Sequence, residues 1–178
     1  MSAPQLKRRP LGGTRGLYPM TSAPESRRAE GMQVVGLATR TTNAAESNFS
    51  TAKIPALWGR FAREQWAERL EQFGAFGPTV AVYSAYESDV FGSYQILVGR
   101  QVRNSPSVLP PLQIVSVPQG QYLMFSCPGS LPNAVIDGWR DVWAYFTHAN
   151  SPSRAYTADF EAYPDAGPVA IWVAVRES

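Results

Sequence analysis

The chain is poor in the residues that staple, ligate or anchor. Its single cysteine, Cys127, rules out an internal disulfide framework and makes a reducing, cytoplasmic setting the expectation. Its single histidine, His148, lies near a helix end in "FTHANSP" and reads as exposed. No apolar run approaches the roughly 20 residues that span a bilayer. The N-terminus has basic residues but lacks the apolar stretch that a secretory signal places behind them. No Gly-rich phosphate loop, nucleophile elbow or metal-ligand cluster occurs. These absences leave a soluble protein with no membrane partner, no metal and no cofactor as the expectation.

Aromatic residues are plentiful. They make up 12% of the 178 residues, with five Trp and eight Tyr, in a chain that is 44% hydrophobic and 17% charged. That composition fits one globular domain or two small fused modules. Charge is unevenly placed: residues 1–31 carry +4 and the remainder −2. The basic leader, rich in Pro, Gly, Ser and Arg without any period, reads as disordered or loosely attached. A basic leader can touch nucleic acid, but the acidic remainder disfavours direct nucleic-acid binding. Met32 opens the first ordered-looking segment and is an alternative start for the chain.

From Met32 the pattern becomes regular. "QVVGLATRTT" reads as a strand. Within "NFSTAKIPALWGRFAREQWAERLEQFG", Ile54, Leu57, Trp58, Phe61, Trp66, Leu70 and Phe73 recur at helical spacing. Ser50 and Thr51 stand where caps belong, Pro55 in the first turn and Gly74 past the end, with a break expected near Ala67. "TVAVYSAYES" and "YQILVGRQV" flank a turn and read as a hairpin. "RNSPSVLPP" is a connector, after which the order repeats. "LQIVSVPQGQYLMFSC" is extended, and "LPNAVIDGWRDVWAYFTHA" is a helix with Val135, Ile136, Trp139, Val142, Trp143 and Phe146 on its buried stripe. "AYTADFEAY" and "PVAIWVAV" close as a hairpin.

The halves, about 32–104 and 112–178, also match in residues when "AVYSAY" is laid on "ADFEAY", Tyr83 on Phe160 and Tyr86 on Tyr163. Two modules that cannot each bury a sheet pack side by side. The predicted fold is therefore α+β: a tandem strand–helix–strand–strand repeat in one largely antiparallel sheet. Two main helices lie on one face, and a cleft follows the pseudo-two-fold axis between the repeats.

Strand alternation places Tyr156, Ala158, Phe160 and Ala162 on one side, expected beneath a helix. Asp159, Glu161 and Tyr163 fall on the other, with Val80, Val82, Ser84 and Tyr86 as counterparts. A half-closed groove accommodates both valines and a glutamate. A carboxylate there either takes a cation or loses its charge, and surrounding rings add cation–π attraction of about 0.5–2 kcal/mol each. The competing reading is a glutamate that faces solvent or pairs with an arginine such as Arg154 or Arg100.

The words "IPALWGRF", "AVYSAYESDVFGSYQILVG" and "YTADFEAY" resemble those of the GyrI-like effector-binding superfamily, in particular the integron-associated effector-binding proteins of mobile gene cassettes. The resemblance covers about residues 32–178. It implies a standalone binder of hydrophobic cations, with Glu161 as the cleft acid and Trp58, Tyr83, Tyr86, Trp139 and Tyr163 as cleft aromatics. It also implies a link to transcription regulation through a partner protein, since residues 1–31 hold no helix-turn-helix domain. Oligomeric state and natural ligand do not follow from it. The alternative from the same family is a hydrolase with Glu161 as general base; binding is preferred over catalysis because no second catalytic group accompanies the acid.

Overall fold

Alternating β-branched and aromatic runs become strands, and the two 3.6-period runs become helices, in a computed structural model that describes residues 23–177. The strands are β1 (Glu25–Ala29), β2 (Met32–Thr42), β3 (Ala75–Ser84), β4 (Ser93–Val102), β5 (Leu112–Val117), β6 (Gly120–Cys127), β7 (Ala158–Tyr163) and β8 (Val169–Ala174). The helices are α1 (Asn43–Glu46), α2 (Ile54–Arg63), α3 (Trp66–Arg69), continued by a 3-10 turn over Leu70–Phe73, and α4 (Asn133–Tyr145).

All strands pair antiparallel in one sheet of order β1-β6-β8-β7-β3-β4-β2-β5. The repeats meet where β7 pairs with β3. Each repeat ends in a hairpin, and each edge is covered by a strand that immediately precedes the opposite repeat's partner in the chain. Only two residues join β1 to β2 and β5 to β6, although each pair lies six positions apart in the sheet. Two residues reach about 7–10 Å, so the sheet must curl until its ends approach. Gly36 and Gly99, opposite each other on β2 and β4, permit the tight strand approach this needs. A Cβ at either would collide with backbone of the facing strand.

The curl divides the core in three. Val35, Leu37, Ala81, Tyr83, Ile96 and Val98 pack beneath α2. Leu123, Phe125, Cys127, Ile171 and Val173 pack beneath α4. The reverse face closes on itself through Val80, Val82, Leu97, Tyr122 and Phe160, with no helix among the described residues packed in this cluster. Both main helices thus lie on one face, as expected. Helix α4 rests so close to β6 and β8 that a Cβ at Gly138 would strike Cys127 Sγ and Ile171 Cδ1. Burial raises the Cys127 thiol to about 11, so it is a packing residue.

Three local expectations are corrected. Residues 25–29 of the leader form β1 along β6, Glu25 opposite Met124 and Ala29 opposite Gly120, a pairing fixed by a strand far along the chain. Residues 1–22 of the leader lie outside the described residues. Helix α2 is not capped by Ser50 or Thr51. Glu46 Oε1 accepts from the Lys53 N–H at 2.9 Å and Oε2 from the Ile54 N–H at 3.2 Å. A carboxylate is well placed there, where unpaired N–H groups concentrate positive potential. The helix break falls at Gln65, whose φ is 53°, rather than at Ala67.

Candidate functional site

Register decides which side chains share the helical face. Ala81 stands opposite Glu161, and Tyr83 opposite Asp159. Phe160 and Ala162 turn to the reverse face with Val80 and Val82. The expected sides were therefore exchanged: the acid-bearing side lies beneath the helices, and the Phe160 side packs sheet against sheet. Laying Tyr83 on Phe160 was one residue out of step. Alternation resets at Ala85 and Tyr156, residues of left-handed φ (49° and 52°) that flank the two strands.

On the helical face, between α1, the β3–β4 loop, α4 and residues 154–156, a cleft of about 310 Å³ opens. Six rings line it in a continuous belt. Trp143 touches Trp139, with centroids 6.4 Å apart, and Trp139 meets Tyr83 edge-on at 5.1 Å. Tyr83 contacts Tyr94 at 5.7 Å, Tyr94 contacts Tyr86 at 5.9 Å, and Tyr86 meets Tyr156 at 5.5 Å. Ile136 and Trp143, expected on the buried stripe of α4, are 47% and 45% exposed and face this cleft. The buried stripe is Ala134, Gly138 and Val142.

Glu161 does not line the cleft. It stands one ring behind it, 1% exposed, where Tyr83 and Trp139 cover it. Its Oε1 accepts from Tyr83 Oη at 2.7 Å and Trp139 Nε1 at 2.6 Å, and its Oε2 accepts from Tyr163 Oη at 2.6 Å. Tyr163 in turn meets Trp58 of α2 edge-on at 4.9 Å. Burial raises the Glu161 carboxyl above its ordinary value, while the donors from Trp139, Tyr163 and Tyr83 pull it back. The same burial, with the Glu161 charge, raises the phenols of Tyr83 and Tyr163, so both remain donors. Neither suggested arginine pairs with Glu161. Arg100 reaches Glu71 at 3.0 Å, and Arg154 reaches Asp159 at 2.5 Å.

Asp159 is the second wholly buried acid, at 0% exposure. It takes Arg154 Nη2 and Tyr86 Oη on Oδ2, each at 2.5 Å, and the Ala174 N–H on Oδ1 at 2.8 Å. Arg154 lies over the Tyr156 ring at 4.5 Å.

Of the six residues singled out in the sequence, Tyr83, Tyr86 and Trp139 line the cleft. Glu161, Tyr163 and Trp58 form the layer beneath or beside it. Tyr94, Trp143, Tyr156 and Glu46 were not singled out, and Arg154 was considered only as a partner for Glu161. Only Trp143 left a signal, a second helical stripe with Ile136 and Trp139. His148 is exposed, and among the described residues no group of His, Cys, Asp or Glu could hold a metal ion. Among them, no helix is long and apolar enough to cross a membrane.

A curled antiparallel sheet with paired helices over an aromatic, acid-backed cleft defines a ligand-binding domain of the GyrI-like kind. The model of the integron-associated effector binding protein family matches residues 28–175, and the chain belongs to that family. A protein of Bacillus subtilis (strain 168), YobU, named as a candidate transcriptional regulator, is 30% identical over 150 residues, covering 80% of this chain and 91% of its own length. The integron cassette protein VCH_CASS2 from the mobile metagenome of Vibrio cholerae superposes with a TM-score of 0.72 at 35% identity, covering 86% of this chain and 96% of its own. SAV2435, solved bound to tetraphenylphosphonium, shares the fold with a TM-score of 0.68 at 17% identity, over 87% of this chain and 94% of its own.

Proposed function

We propose that this protein binds lipophilic cations in the aromatic cleft and serves as a ligand sensor, with a transcription regulator as its protein partner. One observation carries the reading: Glu161 is fully buried, carries no cationic partner among the described residues, and is held by ring donors alone. A carboxylate kept this way is costly unless a positive charge completes it. Tyr83 and Trp139 present their rings to the cleft while donating to that carboxylate. Each donated hydrogen bond to an anion enriches the ring's electron density, so the negative charge is relayed to the π-faces a cation would meet. The complex of SAV2435 with tetraphenylphosphonium supports the chemical class, and the candidate regulator YobU supports the role. Both Glu161 oxygens already accept ring donors, which favours binding over general-base chemistry.

The test is a tetraphenylphosphonium titration followed by Trp fluorescence. Glu161→Gln should weaken binding by about tenfold or more, equivalent to about 1.4 kcal/mol, while Asp165→Asn in the exposed β7–β8 turn changes it less than about twofold. Neutral triphenylphosphine oxide should bind more weakly than the cation. Equal losses from both substitutions, or equal binding of the neutral compound, would remove Glu161 from the function.

A further inference from the structure

The charged residues of the cleft are sorted by repeat. The first repeat contributes Glu46 and Asp89, both acids, and the second contributes Arg140 and Arg154, both bases. Neither of those acids has a cation within ion-pair distance among the described residues. Glu46 accepts from Thr41, Lys53 and Ile54, and Asp89 accepts from the Phe91 N–H. The opposite wall is built for acceptors. Arg154 has a side chain only 7% exposed and is fixed by Asp159 and by the Tyr156 face. Its guanidinium has five N–H bonds. Among the described residues it donates to Asp159 alone, and its Nε is buried without a partner. A buried donor with no acceptor is a standing penalty, which a ligand acceptor would remove. Arg140, paired with the exposed Asp137, adds a second donor on the same wall.

We infer that the cleft selects amphoteric ligands: planar cations that also carry a carboxylate, with the positive end over Tyr83 and Tyr94 on the side of Glu46 and Asp89, and the carboxylate on the Arg154 wall. This rests on the cation-binding reading and narrows its ligand class. A ligand that reads both walls must lie across the pseudo-two-fold axis in one orientation. The cleft is therefore directional, although the fold around it is nearly symmetric.

The experiment compares two xanthene dyes that differ at one group: rhodamine 110, a zwitterion with a free carboxylate, and rhodamine 123, its methyl ester. Tetraphenylphosphonium serves as the reference cation. Wild-type protein should bind rhodamine 110 at least about fivefold tighter than rhodamine 123. The double substitution Arg154→Met with Asp159→Asn removes the buried pair without leaving one charge behind, and it should bring that ratio to one or below. Glu161→Gln should weaken both dyes by similar factors and leave the ratio in place. If wild-type protein prefers the ester, the inference fails without recourse to any variant. It fails equally if the ratio survives the double substitution within about twofold. If tetraphenylphosphonium binds while the dyes show no such preference, only this inference falls. If no cation binds at all, the proposed function falls with it.

Discussion

Asp159 and Glu161 lie two residues apart on β7, on the same face and equally buried, yet they solve the same electrostatic problem differently. Asp159 has a guanidinium, a phenol and a backbone N–H. Its charge is balanced inside the fold. Glu161 has two phenols and an indole, which satisfy its lone pairs but bring no positive charge. Hydrogen bonding and charge balance are separate requirements, and only the first is met at Glu161. On the proposed reading the completed acid is structural, and the incomplete one is where a ligand would contribute its charge.

The largest expected effect tests the structural half of that contrast. Asp159→Ala leaves the Arg154 guanidinium buried without its counter-charge, and chemical denaturation should show a loss of about 3–5 kcal/mol. Glu161→Gln, which strands no charge and keeps the side chain's size, should change stability by less than about 1 kcal/mol. A destabilisation by Glu161→Gln comparable to that of Asp159→Ala would mean both acids are structural.

A second test uses pH. Because burial raises Glu161 in the folded state, the native protein binds this proton more tightly than the unfolded chain. Its contribution to stability is fully present below the ordinary carboxylate range and is lost as pH rises through the raised value. Thermal denaturation from about pH 4 to about pH 9 should show wild type losing stability relative to Glu161→Gln across that window. Tetraphenylphosphonium affinity should rise over the same window, because the charged carboxylate is the form that attracts it. A wild-type minus Glu161→Gln stability difference independent of pH would refute the shift.

Much of this arrangement was legible in the chain. Helical spacing from Ile54 to Phe61 and strand alternation gave the repeated element order, and an acid among aromatics in "ADFEAY" marked the strand that carries both wholly buried acids. Parity was not legible, because it is reset by left-handed Ala85 and Tyr156, which no local propensity announces. Those same two residues bring Tyr86 and Tyr156 into contact over the Arg154–Asp159 pair. The cap on α2 comes from Glu46, beyond the three-residue window in which caps are sought. Arg154 was named as a partner for Glu161 and went to its neighbour instead, a choice that depends on facing and reach rather than on charge. Curling of the sheet, hidden in the two-residue links, turned an apparent helix-facing side into a sheet-on-sheet seam.

The smallest expected effect separates the two acids most finely, because the same atom is removed from each. Tyr86→Phe deletes a phenol donor from Asp159, which keeps Arg154 and the Ala174 N–H. The loss should be about 1 kcal/mol. Tyr163→Phe deletes the one donor that Glu161 Oε2 has among the described residues. That donor favours the carboxylate over the neutral acid, so its removal raises Glu161 further. The penalty should be smaller at about pH 5, where more of the acid form is present. It should grow toward about 1.5 kcal/mol at about pH 8, with tetraphenylphosphonium affinity falling a few-fold there. Denaturation of Tyr163→Phe at about pH 5 and about pH 8 therefore reads the charge balance at Glu161. A pH-independent loss in Tyr163→Phe would place Glu161 in the same class as Asp159, with its charge already balanced by something other than a ligand.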